Sequence, residues 1–352
     1  MNYPSITEIA RGSGNASIST IIEVLNQSNE ALQDIPWIAC NSGQTHITTI
    51  RTGLPKPSWR MLNAGVPKDG STRAQIKASC GMLEAYSEID KKEVELAKKG
   101  TNGQEGAANF LAQENAAWIE GFGQEASRVM FYGDPSKPQE PVGFCNYYNK
   151  YGNADNSPAP RTNSAFNCIS AGSGSHGAAS GTDNTSVWFV TWGPTTIHGI
   201  YPAASTAGFK EEYLGEHTVK DPDGNQFQAL RTHYQWDMGF CVRDWRAAVR
   251  ICNIDMSDLA AANGSAADLL KLFTKAYYKL QWRKYSGQNT GRTAIYCRPE
   301  ILEFLDNQTM NKSNLHLTYA DVQGKPVLNF RGIPIRVQES ILDDEEAVTA
   351  YA

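Results

Sequence analysis

The residues able to do chemistry are few, and their spacing works against it. Gly172-Ser173-Gly174-Ser175-His176-Gly177 matches G-x-G-x-x-G, the pattern that lets a backbone approach a pyrophosphate at a helix start. That role needs a strand before the glycines and a helix after them, and the AASGTDN that follows caps no helix, so a loop is the better reading. His233 and Asp237 share a face of an alternating segment, but four strand residues separate them by about 13 Å, too far for a hydrogen-bonded acid–base pair. They read as solvated or interfacial residues. His46, His176, His198, His217 and His316 stand without metal-ligand spacing. Asp221, Asp223 and Asn225 loosely match a calcium loop, yet the glycine is misplaced and no glutamate closes it, so a hairpin turn explains them better. Arg243, Arg246 and Arg250, interleaved with Asp244 and Asp255, suit ion pairing, either within the chain or at a subunit contact. There is no nucleophile elbow, phosphate loop or ordered carboxylate pair. The expectation is a protein that is not an enzyme, with no catalytic, cofactor-binding or metal-binding residues and no cofactor.

Bulk properties narrow the class. With 352 residues, 41% hydrophobic and 20% charged, the chain can bury a real core in one large or two medium domains. No apolar run approaches the eighteen or so residues a bilayer span needs, and MNYPSITEIARG has neither the basic flank nor the apolar core of an export signal. No membrane partner is expected, and the chain should stay in the cytoplasm where it is made. Cys40, Cys80, Cys145, Cys168, Cys241, Cys252 and Cys297 show no C-x-x-C spacing, and an odd number suits a reducing compartment. A formal charge of −5 and a pI near 5.8 argue against a protein whose main business is gripping phosphates.

The elements around these residues are unusually long. Residues 102 to 132 read as a single helix of about 45 Å at roughly 1.5 Å per residue. Asn102 and Glu105 form its capping box, and Gly133-Asp134-Pro135 ends it. Leu111, Trp118, Phe122 and Val129, with Ala107, Ala108, Ala112 and Ala116, draw a narrow apolar stripe, and Gly121 and Gly123 within it argue for close packing. From Leu230 to Val242 the even positions are Leu, Thr, Tyr, Trp, Met, Phe and Val, a strict period of two. Such a strand reaches roughly 40 Å, far beyond the usual five or six residues. Laying one along the other buries both stripes. Asp221 to Asn225 supplies a turn that makes 216 to 242 a hairpin.

From Thr45 to Glu88, two extended stretches flank a tip rich in proline and glycine. A two-stranded ribbon is marginal in water by itself, so this one needs something outside itself to lie on. Ahead of it, an irregular arm leads to a helix with Ile18, Ile21, Ile22 and Leu25 on one face. Residues 133 to 186 read as loops, and two strands broken at Gly193-Pro194 follow. Ser265 to Asp268 reads as a capping box opening a helix through Trp282. Beyond it come a strand at TAIYC, a helix with Pro299 in its first turn, and short paired strands at the end. The class is α+β.

This order of arm, long hairpin, long helix, G-D-P with PVGF after it, loop-rich region and terminal RGIPIRV resembles the major capsid proteins of tailed bacteriophages with the Hong Kong 97 fold. VWFVTWGPTTIHGIYP, HYQWDMGFCVRDWRAAVRICNID and FRGIPIRVQESI look like the shell proteins of a subgroup without an attached scaffolding domain. The resemblance covers essentially the whole chain. It implies an N-terminal arm at 1–40, an extended β-hairpin loop at 41–90, a peripheral domain at 91–132 and 226–262 with its long spine helix and long β-strands, and an axial domain at 133–225 and 263–352.

It also implies a structural protein of the virion, assembled in the host bacterial cytoplasm. Homo-oligomeric hexamers and pentamers would form an icosahedral head shell around double-stranded DNA, which they touch non-specifically. A separate scaffolding protein, a portal and a decoration protein are the other partners it suggests. Some relatives crosslink a loop lysine to a neighbouring asparagine. Lys56, Lys68 and Lys77 lie in that region, but no motif selects one and no crosslink is expected. The rival readings are an encapsulin-like compartment and a cytosolic α+β enzyme.

Overall fold

The computed structural model describes residues 30–98, 104–153, 163–172, 182–220, 224–261, 268–280, 292–310, 317–322 and 325–351. The expected helix at Ile18 to Leu25 lies outside them. A short helix (Glu30–Asp34) leads to β1 (Trp37–Ala39), β2 (Thr45–Gly53), β3 (Thr72–Ser79), β4 (Gly81–Asp90), a helix (Lys91–Lys98) and the long helix (Gln104–Tyr132). A one-turn helix (Phe144–Tyr147), β5 (Lys150–Asn153), β6 (Cys168–Ser170), β7 (Asn184–Thr191), β8 (Ile197–Tyr201), β9 (Lys210–Lys220), β10 (Gln226–Val242) and β11 (Ala248–Asp255) follow. Helices Met256–Ala261 and Leu269–Lys279, β12 (Thr293–Cys297), helix Pro299–Met310, β13 (Leu317–Val322), β14 (Lys325–Phe330), β15 (Ile333–Val337) and β16 (Thr349–Tyr351) complete the chain.

β10 behaves as its alternation requires. Thr232, Tyr234, Trp236, Met238, Phe240 and Val242 are buried, while Arg231, His233, Gln235 and Asp237 are half-buried on the opposite face. At 17 residues it is the axis of a five-stranded sheet. One edge pairs with β4; the other pairs with β9 over Gln226 to Gln235 and then with β8 over Gly239 to Val242. The expected hairpin starting at 216 is therefore longer, beginning at Lys210. The ribbon expected to run to Glu88 is shorter. Its returning arm leaves β2 at Ser79, and from Gly81 it pairs with β10, whose edge offers a ladder that an isolated ribbon lacks.

The long helix spans 29 residues and buries Ile119, Phe122, Ala126, Val129, Met130 and Phe131. Ala112 and Ala116 lie on the same face, since seven and eighteen residues are close to whole numbers of turns, yet both are exposed. The expected stripe is therefore covered only from about Trp118 onward, where the indole stacks on Tyr234 at 5.7 Å. Gly121 does not mark a close approach as expected, because a Cβ there meets open space. Asn102, the expected cap, lies outside the described residues. Further along, Phe131 reaches Trp188 at 5.7 Å, so the helix bridges from the five-stranded sheet to a second one.

That second sheet has seven strands in the order β13-β14-β15-β12-β7-β11-β6. β7 is buried throughout and serves two cores at once. Trp188 and Val190 face an aromatic cluster with Trp37, Phe131, Phe144, Trp236 and Phe240, while Val187 and Phe189 face Phe273, Ile301, Leu305 and Phe330. The helix before this second core is capped by Asp268, whose carboxylate accepts from the Lys271 amide at 3.3 Å. Asp268 is thus the cap itself rather than the closing residue, three positions on, of a box opened by Ser265, which lies outside the described residues, as does Trp282. The sheets cut across the boundaries drawn from sequence. Residues 81–90, 197–200 and 210–220 pair with the long strand, and β11, grouped with 226–262, lies inside the seven-stranded sheet.

Two devices fix the end of the long helix. Gly143 donates to the Gly133 carbonyl at 2.9 Å, and a Cβ on Gly143 would sit 2.3 Å from the Gly133 nitrogen. This contact reverses the chain and drops Phe144 against Phe131, Trp188, Trp192 and Phe240. Beside it, buried Arg250 bonds Glu345 at 2.9 Å, Ser186 Oγ at 3.0 Å and the Tyr148 carbonyl at 3.0 Å, with its guanidinium over Trp188. Glu345 also accepts from the Ser186 and Tyr132 hydroxyls.

At the root of the β2–β3 hairpin, His46 meets His198 of β8 edge-on at 5.3 Å. Burial, then the proximity of His46 and Arg243, push the His198 imidazole down to about 4. Burial and Arg243 lower His46 as well.

Two outcomes follow. Gly143→Ala should destabilise the chain by about 2 kcal/mol or block folding, because backbone atoms cannot yield to the added methyl. Gly121→Ala should be neutral or gain up to about 1 kcal/mol from helix propensity. Denaturant melts of the two variants check this, and equal stability would refute the packing difference. For His198, the unfolded ring titrates near 6.5 and the folded one near 4, so the unfolded chain takes the proton first as pH falls. Stability should drop by about 2 kcal/mol between pH 7 and 5 from this group and level off below about 4. His198→Leu should lose that much less over the same range, and parallel losses in both proteins would count against the assignment.

Candidate assembly surface

The hairpin is built from two strands with almost nothing beneath them. β2 and β3 pair from Thr45 with Ser79 out to Gly53 with Thr72. Ala78 and Thr48 are buried near the root, but every residue from 54 to 71 is exposed. Trp59 is fully exposed, Leu62 is 94% exposed, and Leu54 and Met61 stand beside them. At the tip, the Asp69 carboxylate accepts from the amides of Lys56 at 2.6 Å and Gly70 at 2.8 Å. These two amides, Lys56 first, hold it below the ordinary carboxylate range. From 45 to 79 the chain carries Arg51, Lys56, Arg60, Lys68, Arg73 and Lys77 against Asp69 alone, a basic segment in a protein of net charge −5. An apolar tip in a basic frame suits an acidic, partly apolar surface.

The five-stranded sheet presents such a face. On the side away from the long helix, Tyr86 stacks on His233 at 4.5 Å with Arg231 over the same ring, and Met82 is 58% exposed beside them. Glu84 and Glu88 alternate with these residues. Arg231 pairs with Glu88, and His233 lies 3.5 Å from Glu84. On β9, Glu211 accepts from Asn115 of the long helix at 2.7 Å, and burial raises its carboxyl above the ordinary range despite that bond. Lys91 reaches Glu216 at 2.8 Å. Exposed pairs of this kind add little stability, so their weight lies in which charge they present.

Among the described residues, the sequence candidates do not come together as a reaction centre. Gly172 is described, but the rest of the glycine-rich pattern lies outside the described residues, as do His176, His316, Asp221 and Asp223. His233 takes Tyr86 and Glu84 as neighbours, while Asp237 bonds Gln235 at 3.1 Å. The arginine run resolves toward internal pairing. Arg246 clasps Asp244 at 2.7 and 2.8 Å, Arg243 donates to the Pro194 carbonyl at 3.4 Å, and Arg250 is buried on Glu345. A cavity of about 390 Å³ is lined by Ile76, Tyr147, Asn163, Ser164, Val242, Arg243, Trp245 and Tyr351, a set with no nucleophile and base in contact. Sequence reasoning missed the His46–His198 and Cys40–Cys80 contacts, for which no local spacing gives a signal.

Comparison with known proteins agrees with this picture of surface without catalysis. The family model described as "Major capsid protein GP7" matches residues 13–349. The chain is similar to a chain in the near-atomic-resolution structure of bacteriophage Epsilon15, at 33% identity and a TM-score of 0.66, covering 89% of this chain and 88% of that one. More distant is the capsid of bacteriophage JBD30, at 11% identity and a TM-score of 0.44, covering 88% of this chain and 89% of that one. No curated protein matches the chain. The chain belongs to the GP7 family of major capsid proteins, structural proteins with a Hong Kong 97-like fold that assemble with copies of themselves into the head shell of a tailed phage.

Proposed function

We propose that the β2–β3 hairpin is the clamp between subunits, its tip lying across the long sheet and helix of a neighbouring copy within hexamers and pentamers of an icosahedral shell. One observation carries this reading: eighteen consecutive residues, 54 to 71, are exposed while including Leu54, Trp59, Met61, Leu62 and Val66. A free tryptophan, a methionine and three free aliphatic side chains at the end of a ribbon gain by burial, at roughly 25 cal/mol per Å² of apolar surface. The basic frame of the hairpin and the glutamates on β4 and β9 favour the match.

In this reading the N-terminal arm expected at 1–40 ends before Glu30, because Ala31, Leu32, Ile35 and Trp37 are buried in the core and β1 pairs with β8. The peripheral domain follows the five-stranded sheet and the long helix, taking in 81–132 and 197–242, and the axial domain follows the seven-stranded sheet. The shell encloses double-stranded DNA that it touches without sequence preference, as the acidic balance of the chain suits. A separate scaffolding protein during assembly, a portal and a decoration protein complete the proposed partners. Assembly takes place in the host bacterial cytoplasm.

The test is a double substitution, Trp59→Asp with Leu62→Asp. Both side chains are exposed, so the isolated chain should melt within about 0.5 kcal/mol of the parent. Shell formation, followed by sedimentation and negative-stain imaging, should fall to background. Shells formed at the parent's yield would overturn the clamp.

A further inference from the structure

Two pairs of thiols approach each other in this chain, and they differ in access. Cys40, just after β1, and Cys80, between β3 and β4, place their sulfurs 3.4 Å apart. Cys168 and Cys252 place theirs 3.5 Å apart. All seven cysteines are free.

The second pair sits on adjacent parallel strands but out of register, because Cys168 lies opposite Arg250 and Cys252 opposite Ser170. A strand spacing of about 4.8 Å and an offset of about 6.6 Å put the two Cα atoms about 8 Å apart. That exceeds the roughly 7 Å a disulfide spans, and both thiols are sealed in the core.

The first pair is not sealed in this way, since Cys80 is only partly buried. The Cys40 amide donates to the Tyr201 carbonyl at 2.8 Å and the Cys80 amide to the Gln44 carbonyl at 2.9 Å, so both backbones are held. Gly239 of β10 leaves room for the Cys80 backbone, since a Cβ there would come within 3.1 Å of the Cys80 Cα. From 3.4 Å the sulfurs need to close by about 1.4 Å to reach a disulfide. Cys80 is partly exposed and open to a reagent, while Cys40 is buried behind it.

We infer that Cys40 and Cys80 form an oxidant-closed disulfide that ties off the root of the hairpin. The oxidant is a small-molecule disulfide such as oxidised glutathione. The Cys80 thiolate attacks one of its sulfurs, breaking that S–S bond and releasing one glutathione thiolate. Cys40 then attacks the Cys80 sulfur of the mixed disulfide and expels the second. Two electrons pass from the protein thiols to the reagent, and the two thiol protons end on the two glutathiones. The roles fit the contact already present. The contact with Cys40, then burial, raise the Cys80 thiol above its ordinary value, so the first attack is the slow step, and Cys40, 3.4 Å away, is placed to attack the mixed disulfide once it forms. The closed ring runs from residue 40 to residue 80 and contains the whole hairpin, independent of where the tip docks.

The experiment treats the purified full-length protein with oxidised glutathione, alkylates the remaining thiols and maps peptides without reduction. A Cys40–Cys80 linked peptide is expected, and a Cys168–Cys252 peptide is not. Brief trypsin treatment cuts the exposed tip at Arg60 or Lys68. The two fragments of the oxidised protein should then stay joined on a non-reducing gel and separate on a reducing one. Cys40→Ser should lose the joining completely and stop at a glutathione adduct on Cys80, whereas Cys80→Ser should lose both adduct and joining. Recovery of Cys40 and Cys80 as separately alkylated peptides after oxidation, or fragments still joined in Cys40→Ser, would overturn the proposal. Neither result bears on shell formation, so failure here leaves the clamp reading untouched.

Discussion

The arrangement of the two sheets depends on one buried ion pair. Arg250 and Glu345 expose 4% and 3% of their side chains and lie 2.9 Å apart. Burying two charges is costly unless every remaining donor and acceptor is satisfied, and here the neighbours do so. Arg250 adds Ser186 and the Tyr148 carbonyl, and Glu345 adds the hydroxyls of Ser186 and Tyr132. Those partners come from β11, β7, the turn after the one-turn helix, the last residue of the long helix and the C-terminal tail. Removing one ion would strand the other in the core, typically at about 3–5 kcal/mol. Its geometry thus fixes where the long helix ends relative to the seven-stranded sheet. The tail is held on the same terms, since the Glu345 amide donates to Asn184 and the Val348 amide to Asn253 Oδ1.

Around that pair the aromatic core acts as one body. Phe144, brought under the helix by the Gly133–Gly143 contact, touches rings from both sheets: Trp188 and Trp192 on one side and Phe240 on the other. β7 carries this core on one face and a second, aliphatic core on the other, so a shift of either would be felt across the strand. The hairpin root is attached to this body through β1, β8 and β10, where Cys40, Ala78, Ile200 and Cys241 form a small cluster. A force on the tip is therefore delivered to the edge of the long sheet, not to loops.

What was legible in the sequence is what local periodicity encodes. Tyr234, Trp236, Met238 and Phe240 announce a long strand because each second residue must face the same core, and no distant partner is needed to see it. The helix from Pro299 and the strand at Thr293 to Cys297 were legible for the same reason. The rest depended on partners far away in the chain. Arg250 suited an ion pair on sight, but its carboxylate lies 95 residues on. Gly81 to Asp90 reads equally well as hairpin arm or sheet strand, and only the free edge of β10 decides between them. Ala112 and Ala116 satisfy the helical pattern and remain exposed, because a pattern says which face is apolar and not how far its cover extends.

The same chain must also avoid sticking to itself in the wrong way. β4 and β9 are edges of the long sheet, the position where strands most readily recruit other strands. Both carry carboxylates along their length, Glu84 and Glu88 on one, Glu211, Glu212 and Glu216 on the other, which oppose pairing between two like edges. The hairpin does the opposite, offering apolar side chains and an excess of positive charge at its far end. In the clamp reading, an edge that repels its own kind but receives a basic, apolar tip distinguishes one contact between copies from another by a difference in free energy rather than by total area. For a protein made in many copies at one place, that difference separates an ordered shell from an aggregate, and it resides in surface residues that contribute little to the stability of the single chain.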